Sequence, residues 1–404
     1  MPKQKVVVDE VKIDELLTRG VVEVIVREDL KRKLMSGKRL RVKLGIDPTS
    51  PDIHIGRSIP ILKLKDFEEL GHQVVLIVGD FTGQIGDTSD KDSERPMLDK
   101  KVINHNKKSY FDQVGKIIDI TKAELHYNST WLSKLSYGDI GEHANQFSVA
   151  DFIARENITK RMKSGTRVSL REVLYPLMQG YDSVAVKADV ELGGTDQKFN
   201  VLAGRPLQEW YGQEPQNIVL GPLIHGLDGR KMSSSWGNTI NLTTPPADMY
   251  GKAMSMTDTE IVNYLTVVTR MPLAQIDMVS QSLSAGMNPR DAKMILAHEL
   301  VRMYHGEKAA VAAGALFVAT FQNKTIPDDV VSITVAEMAD IAVALVKKQV
   351  VASKSELTRL FTSGSVRNAE TGEKVGGLAD IAKHSIVLKI GKRRFVRIEF
   401  KNER

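Results

Sequence analysis

Cysteine is absent from the 404 residues of this chain. Its absence excludes disulfide bonds, a thiolate nucleophile and cysteine-ligated zinc or iron–sulfur sites. The nine histidines show no HExxH pattern, the arrangement typical of zinc proteases. Apolar runs such as Val74–Val78 have the length of a strand rather than of a membrane span, and the first residues, MPKQKVVVDE, lack the apolar stretch of a signal peptide. We therefore expect the protein to be cytoplasmic.

The composition is that of a globular protein, with 42% hydrophobic and 26% charged residues, and its length allows two or three domains. The charge is distributed unevenly along the chain. Residues 341–404 contain 14 of the 56 Lys and Arg residues but only 6 of the 50 Asp and Glu residues, so the basic excess lies entirely in the tail. A small basic module indicates a nucleic-acid partner, although a solvated lysine-rich surface is the alternative.

The segment from residue 41 to residue 80 predicts a β-α-β unit. RVKLGID (41–47) and QVVLIVGD (73–80) have the pattern of strands, and apolar residues recur at helical spacing between 54 and 70. Such units form parallel sheets that bind ligands at the carboxyl ends of their strands. The dinucleotide fingerprint and the phosphate-loop lysine pattern are both absent.

The rest of the chain reads as further segments of regular structure. Polar helices are expected from about 97 to 190, and a helical region from TTPPADM (243–249) to about residue 329. In that region Asn288 as N-cap, Pro289 at the first helical position and Gly306 beyond the end mark one helix clearly. We expect a linker near residue 330, then helix, turn and strand within 348–368, and a closing hairpin in IVLKIGKRRFVRIEF.

The segment PDIHIGRSIP (51–60) places a histidine, a glycine and an arginine at a predicted helix start. The first turn of a helix has unpaired N–H groups and the positive end of the helix dipole, so His54 and Arg57 there favour a phosphate site. The alternative is that both are ordinary surface residues.

KMSSS (231–235) is the second motif of interest. Lys231 begins a run of small hydroxyl residues preceded by Gly226 and Gly229, which suits a mobile loop that folds over a triphosphate. Taken alone, it is also consistent with a serine-rich turn.

Together, and in this order, HIGR and KMSSS resemble the signature pair of class I aminoacyl-tRNA synthetases. The resemblance extends to LGIDPTSPDIHIG, VGDFTGQIGD, YPLMQGYDS, VELGGTDQKFN and GPLIHGLDGRKMS, all similar to bacterial-type tyrosyl-tRNA synthetases. It covers nearly the whole chain, since the tail resembles the small RNA-binding domain that these enzymes share with a ribosomal small-subunit protein.

The resemblance implies an α/β fold with three domains. These are a Rossmann-like parallel-sheet catalytic domain at 1–242 with a connective insertion at about 97–190, an α-helical anticodon-binding domain at 243–332, and a small basic α+β RNA-binding domain at 338–404. It also implies activation of L-tyrosine by ATP, transfer of tyrosine to the 3′ end of tRNA(Tyr), Mg²⁺ entering with ATP, no tightly bound cofactor, and a homodimer with the insertion as interface.

The resemblance further implies roles for individual residues in three groups. The residues expected to act on the phosphates are His54, Thr49, Lys231, Lys91 and Arg95. Those expected to bind ATP are Asp47, Gly56, Arg57, Gly193, Gly194, Asp196, Leu223, Ile224, Ser233 and Ser234. Those expected to bind tyrosine are Asp87, Tyr175, Gln179, Asp182, Gln197 and Lys43.

Three residues depart from the family pattern. Arg57 stands where the family has its second signature histidine, Ser234 where bacterial members have a later lysine, and Lys43 where many relatives have a tyrosine. Lys231 must then act with fewer cations or with help from Arg230. Two alternatives stay open: a tryptophanyl-tRNA synthetase, against which YPLMQGYDS and the basic tail argue, and a synthetase-derived RNA-binding protein without catalysis.

Overall fold

The computed structural model of the chain describes residues 5–89, 93–94, 96–321, 330–369, 371–381, 385–391 and 394–400. Contacts divide the chain into two compact units. The first comprises Met1–Thr244 with Lys252–Tyr304, and the second comprises Pro245–Gly251 with His305–Arg404.

The described residues of the first unit form a six-stranded sheet in the order β1-β6-β5-β2-β3-β4. Its strands are β1 (Glu23–Ile25), β2 (Arg41–Ile46), β3 (Gln73–Val78), β4 (Glu124–Tyr127), β5 (Val190–Gly194) and β6 (Asn217–Gly221). Only the edge strand β1 pairs antiparallel to its neighbour within this described sheet. All five apolar residues of β3 are buried, as expected of a central parallel strand covered on both faces.

The helices between residues 10 and 305 precede, connect and follow these strands. They are α1 (Glu10–Thr18), α2 (Arg27–Met35), α3 (Ile55–Glu69), α4 (Thr82–Ile85), α5 (Lys100–Asn106), α6 (Tyr110–Val114), α7 (Ser129–Leu132), α8 (Tyr137–Ala144), α9 (Val149–Ile153), α10 (Glu156–Lys163), α11 (Leu170–Val186), α12 (Lys198–Leu202), α13 (Gly204–Trp210), α14 (Pro246–Met254), α15 (Ile261–Val268), α16 (Leu273–Ser284) and α17 (Pro289–His305). Short 3₁₀ turns lie at Lys107–Ser109, Thr195–Gln197, Ser234–Trp236 and Asp258–Glu260.

The predicted β-α-β unit is confirmed, because β2 and β3 pair in parallel on either side of α3. The predicted limits of α17 are also confirmed. The side chain of Asn288 accepts a hydrogen bond from the N–H of Arg290 at 3.0 Å, and Gly306 has a φ of 85°. A left-handed residue just past the last turn is typical of a helix end.

The prediction that 97–190 is helical was incomplete, since β4 lies inside it. Each of the four residues of β4 is half-buried, so the segment lacks the alternation of buried and exposed positions that marks a longer strand.

The second unit contains a separate four-stranded sheet in the order β7-β10-β9-β8 among its described residues. Its elements are α18 (Glu307–Phe321), β7 (Val331–Val335), α19 (Met338–Lys347), α20 (Lys354–Thr362), β8 (Val366–Asn368), a 3₁₀ turn at Leu378–Asp380, β9 (Ile386–Ile390) and β10 (Arg394–Phe400). The predicted helix, turn and strand and the closing hairpin are confirmed by α20, β8 and the antiparallel pair of β9 and β10.

The linker expected near residue 330 is wrong for residues 331–335. They form β7, which pairs in parallel with β10, and Ile333 and Val335 lie in the core of this unit. The pairing joins residues more than sixty positions apart, which local patterns do not show. The division into three domains of stated function stays a prediction.

Candidate active site

A cavity of about 620 Å³ lies at the carboxyl ends of β2, β3, β5 and β6. Most of the residues predicted for the site line it: Asp47, Thr49, His54, Gly56, Arg57, Asp87, Tyr175, Gln179, Asp182, Gly193, Gly194, Asp196, Gln197, Leu223, Ile224, Lys231, Ser233 and Ser234. The structure therefore brings together both motifs and the segments between them in one concave site.

Three predicted residues stand apart from this set. Lys91 and Arg95 lie outside the described residues. Lys43 is completely buried, and its Nζ lies 2.9 Å from Glu191 Oε1 and 3.0 Å from the Gln179 carbonyl oxygen. Its predicted contact with a substrate is therefore not supported, because its ammonium group is taken up by Glu191 on the neighbouring strand β5.

The HIGR segment begins α3 as predicted, with His54 as its N-cap. The N–H of Arg57 donates to His54 Nδ1 at 3.3 Å. Burial, together with the nearby cations Arg57 and Lys231, lowers the pKa of His54 to about 3. His54 is thus neutral at physiological pH. Because its Nδ1 accepts a hydrogen bond, the ring proton lies on Nε2, which can donate a hydrogen bond to a ligand. A Cβ on Gly56 would lie 3.1 Å from the imidazole, so a larger residue there would crowd the ring.

Arg57 is one of the three residues that depart from the family pattern. It lies at the start of α3, and its side chain contacts the loop that follows β2. Its Nη2 donates to Thr49 Oγ1 at 3.0 Å and its Nη1 to the hydroxyl of Tyr110 at 3.3 Å. That hydroxyl donates in turn to the Ser50 carbonyl at 2.8 Å. Arg57 therefore adds a fixed cation to the helix start and orients Thr49 in the same cavity.

Lys231 extends from the hairpin at 224–232, where its Nζ lies 3.0 Å from Asp196 Oδ2. The side chain of Asn238 closes the segment behind it, since it accepts from the N–H of Ser233 at 2.9 Å and donates to the Lys231 carbonyl at 3.1 Å. Arg230 forms an ion pair with Asp228 outside the cavity and stacks on Trp236. The suggested help from Arg230 is therefore not visible in this conformation.

Asp182 lines the same cavity and is almost fully buried. Trp131 Nε1 donates to its Oδ1 at 2.7 Å and Asn128 Nδ2 to its Oδ2 at 3.2 Å. Burial raises the pKa of Asp182 to about 7; Lys43 and the two hydrogen bonds oppose this rise, and Glu191 adds to it. A carboxylate in such a place is a strong acceptor for a hydroxyl group of a ligand.

The raised pKa predicts how stability depends on pH. The folded chain holds the Asp182 proton more tightly than the unfolded chain does, so this group's contribution to stability is lost as pH rises from about 4 towards 7. An Asp182→Asn variant lacks this loss. We expect its melting temperature, relative to wild type, to be higher at pH 8 than at pH 5. Thermal unfolding of both proteins at the two pH values tests this, and a difference independent of pH contradicts it.

Two further carboxylates, Asp47 and Asp87, also line the cavity. Asp47 accepts hydrogen bonds from Thr82 Oγ1 at 2.6 Å and from the Tyr175 hydroxyl at 2.9 Å, and burial raises its pKa to about 6. Asp87 accepts from Gln197 Nε2 at 2.6 Å. A Cβ on Gly79 would lie only 2.0 Å from Asp47 Oδ1, so the strand end must be glycine there. This acidic region suits an ammonium group.

Asn128 and Trp131 line or complete the Asp182 pocket, yet sequence reasoning did not identify them. Thr82 and Ser89, which bind Asp47 and Asp87, were also not assigned to the site. Asn128 and Trp131 follow β4, the strand that was not predicted. A polar residue directly after the run ELHY was the signal available, because residues at the carboxyl ends of parallel strands face the ligand site.

Comparison with known proteins gives a consistent result. The family model described as tRNA synthetases class I (W and Y) matches residues 35–322. The tyrosine–tRNA ligase of Carboxydothermus hydrogenoformans is 44% identical, with 97% of this chain and 99% of that protein covered. The tyrosine–tRNA ligase of Thermotoga maritima is 43% identical, with 95% and 96% covered.

Solved structures support the fold. A C-terminally truncated mitochondrial tyrosyl-tRNA synthetase of Aspergillus nidulans matches with a TM-score of 0.65 and 21% identity, covering 77% of this chain and 94% of that one. A tyrosyl-tRNA synthetase of Archaeoglobus fulgidus, complexed with L-tyrosine, matches with a TM-score of 0.60 and 21% identity, covering 76% of this chain and 100% of that one.

Proposed function

The chain belongs to the class I tRNA synthetases for tryptophan and tyrosine, and we propose how its cavity carries out the reactions of a tyrosine–tRNA ligase. The enzyme joins L-tyrosine to the AMP portion of ATP, with release of pyrophosphate, and then transfers the tyrosyl group to tRNA. The observation that carries this conclusion is the near full-length similarity to tyrosine–tRNA ligases, together with a cavity lined both by the cations Arg57 and Lys231 and by the buried Asp182.

The first reaction requires no general base. The carboxylate of tyrosine is ionised at neutral pH, and one of its oxygens forms a bond to the α-phosphorus of ATP. The bond from that phosphorus to the bridging oxygen breaks, and pyrophosphate leaves. Catalysis is therefore positioning plus stabilisation of charge that moves onto the phosphates. In the second reaction a ribose hydroxyl at the tRNA 3′ end attacks the carbonyl carbon of the adenylate, and AMP leaves.

The cationic end of the cavity is proposed to hold the phosphates. His54 donates through Nε2, Arg57 fixes Thr49 beside it, and Lys231 leaves Asp196 to contact the departing pyrophosphate. Lys91 and Arg95 are proposed to add two further cations. The ribose is assigned to Gly193, Gly194 and Asp196, the adenine to the segment of Leu223 and Ile224, and further nucleotide contacts to Asp47, Gly56, Ser233 and Ser234.

Mg²⁺ is proposed to enter as part of the ATP substrate. Within the described residues no group of three His, Asp or Glu side chains is arranged to hold a metal ion. The cavity supplies phosphate-binding cations, which fits an ion held mainly by phosphate oxygens.

The acidic end is proposed to hold tyrosine. Asp87, Tyr175 and Gln179 would bind the α-amino group, Gln197 would lie beside the substrate, and Asp182 would accept a hydrogen bond from the phenol hydroxyl. Lys43 acts on Asp182 through its charge, which lowers the pKa of that carboxyl. Tryptophan offers no hydroxyl at this depth, so the pocket favours tyrosine.

Pyrophosphate exchange into ATP tests the function. Exchange dependent on tyrosine is expected. Exchange dependent on tryptophan instead would indicate the sister specificity, and no exchange with either amino acid would indicate an RNA-binding protein without catalysis.

The basic tail is proposed to bind tRNA without contributing to adenylate formation. The test variant replaces three exposed cations of the tail by glutamine, at Lys354, Arg359 and Arg397. Pyrophosphate exchange should stay unchanged, whereas tRNA binding should weaken because fewer counterions are released from the phosphates. The slope of log affinity against log salt should become shallower by about one for each phosphate interaction that the variant removes.

The matched control removes three exposed cations of the first unit that lie outside the insertion at 97–190, at Lys5, Lys12 and Arg32. The affinity of this control variant for tRNA should stay close to that of the wild type. An equal loss of tRNA affinity in both variants would mean that the net charge of the protein, rather than the basic tail, determines tRNA binding. Loss of exchange in the tail variant would contradict the separation of the two reactions.

A homodimer is proposed, with the insertion at about 97–190 as its interface. Three of the four most exposed large apolar side chains among the described residues lie there: Tyr137 (94%), Val149 (74%) and Leu170 (70%). Exposed apolar side chains of this size favour association. Light scattering should give about twice the 44.8 kDa chain mass, and Tyr137→Asp with Val149→Asp should reduce it. Val11→Asp, at the fourth such position (78%), should leave the dimer intact; a monomeric wild type contradicts the proposal.

A cytoplasmic location is proposed from the sequence. Within the part of the chain that the structure describes, no helix is both long and apolar enough to span a membrane.

A further inference from the structure

His225 lies at the base of the hairpin that carries Lys231. The two residues face each other in an antiparallel bridge. On either side of them the N–H of Met232 donates to the Ile224 carbonyl at 2.9 Å, and the N–H of Gly226 donates to the Arg230 carbonyl at 2.6 Å. The position of His225 therefore fixes the position of the Lys231 backbone across the hairpin.

His225 is itself held by residues outside the hairpin. The hydroxyl of Tyr264, on α15, donates to the His225 carbonyl oxygen. The His225 Nδ1 lies 2.8 Å from Glu260 Oε1, and Glu260 Oε2 accepts from Asn263 Nδ2 at 2.9 Å. Only 1% of Tyr264 is exposed, and burial raises the pKa of its hydroxyl, so the group stays a donor at any physiological pH.

The two contacts differ in strength. The pair of His225 and Glu260 is partly open to solvent, with 57% of the His225 side chain exposed, and exposed pairs of this kind contribute little. The Tyr264 hydroxyl comes from a buried side chain and donates to a backbone carbonyl in a partly buried position, where loss of the donor leaves the acceptor less well satisfied. Tyr264 is therefore the stronger of the two.

The resting position of Lys231 shows why the base of the hairpin matters. Its ammonium group lies 3.0 Å from Asp196 Oδ2, and in the proposed reaction it leaves that carboxylate to contact the phosphates of ATP. The reach of a lysine side chain is fixed, so a shift of the backbone at residue 231 displaces the ammonium group by a similar distance. Misplacement of a catalytic group by about 1 Å lowers the rate strongly.

We propose that Tyr264, assisted by Glu260, is a positioning residue for Lys231 in the adenylate-forming reaction. The inference rests on the proposed function, because it assigns to Lys231 a role at the pyrophosphate end of ATP. It concerns residues that touch no substrate and act only through His225 and the hairpin.

The test uses Tyr264→Phe in the full-length protein, which removes the hydroxyl and keeps the ring. The rate of adenylate formation should fall by roughly three- to tenfold, corresponding to the loss of one hydrogen bond. The Kd for tyrosine should not change, because the tyrosine end of the cavity is untouched. Glu260→Ala should show a smaller loss of the same kind. Tyr250→Phe, which alters a similarly buried tyrosine outside the cavity, should keep the wild-type rate.

A double variant separates positioning from general loosening. If Tyr264 acts through Lys231, Tyr264→Phe should have no further effect in a Lys231→Gln background. Additive losses, an unchanged rate in Tyr264→Phe, or an equal loss of tyrosine affinity would each overturn the inference. If Tyr264→Phe does not fold, the same comparison is made with Glu260→Ala in the wild-type and Lys231→Gln backgrounds, and its result decides whether the inference stands. Lack of tyrosine-dependent exchange in the wild type would instead contradict the proposed function.

Discussion

Replacement of Lys231 by glutamine is expected to slow formation of tyrosyl adenylate by about 100-fold or more, while tyrosine binds as in the wild type. The ammonium group interacts with phosphates whose negative charge increases as pyrophosphate departs, so its contribution is larger in the transition state than in the bound substrates. Loss of one preorganised charge-stabilising group typically reduces the rate by this order. Single-turnover measurement of adenylate formation, with the tyrosine Kd determined separately, tests the expectation.

Arg230→Gln is the matched control for this experiment. Arg230 is the adjacent cation in the same hairpin, but it pairs with Asp228 and does not line the cavity. Its replacement should change the rate little. A wild-type rate in Lys231→Gln, or an equal loss in Arg230→Gln, would remove Lys231 from the mechanism and point to the net charge of the hairpin.

His54 needs a more careful design, because it is also the N-cap of α3. His54→Ala removes both the cap and the Nε2 donor, so a slow enzyme could simply have lost the helix start. Asparagine is among the best N-cap residues, and loss of a cap usually lowers stability by about 1 kcal/mol. We therefore expect His54→Asn to keep the melting temperature of the wild type. Its single-turnover rate of adenylate formation should nevertheless be lower than that of the wild type.

The part of the site that the sequence predicts is the part built by local structure. The helix start near His54 follows from apolar residues that recur at helical spacing after Pro51 and Asp52, and α3 begins at Ile55. The motifs at both ends of the cavity were identified through a family resemblance of high specificity. Their assigned roles remain predictions, although the structure places most of those side chains around one cavity.

The part that the sequence does not predict depends on pairing between distant segments. The family resemblance assigned Lys43 to tyrosine, but β2 pairs with β5 in a register that sets Lys43 directly beside Glu191. Residues paired in this way have side chains on the same face, and opposite charges there attract each other. The register is a tertiary property, so the ion pair that withdraws Lys43 from the cavity could not be read from either strand alone.

The same limit applies to the groups around Asp182. Trp131 and Asn128 reach it from the segment after β4, more than fifty positions away in the chain. Their donors stabilise the ionised form of a carboxyl whose burial favours the neutral form. The pocket is thus balanced between the two forms near neutral pH, and a small change in its donors should alter how strongly it binds a phenol.

Asp182→Asn is expected to lose most of the preference for tyrosine over phenylalanine. In the wild type, phenylalanine leaves a buried, partly charged acceptor without its partner, which costs roughly 3 kcal/mol, or about 100-fold. In the variant the charge is absent, and the amide can turn its oxygen towards Trp131. Binding of phenylalanine, which brings no hydroxyl, therefore costs less free energy than in the wild type. The ratio of kcat/KM for the two amino acids in pyrophosphate exchange should fall by on the order of 100-fold, mainly because activation of tyrosine declines.

Two further variants make the assignment specific to Asp182. Asp80→Asn changes another almost fully buried carboxylate at the end of β3, held by Ser129 and Lys107 but outside the cavity, and should keep the wild-type ratio. Trp131→Phe removes one donor to Asp182 and raises the pKa of that carboxyl, so the ratio should fall partially and more at pH 6 than at pH 8. An unchanged ratio in Asp182→Asn, or a loss in Asp80→Asn of the same size, would show that the phenol hydroxyl is recognised elsewhere.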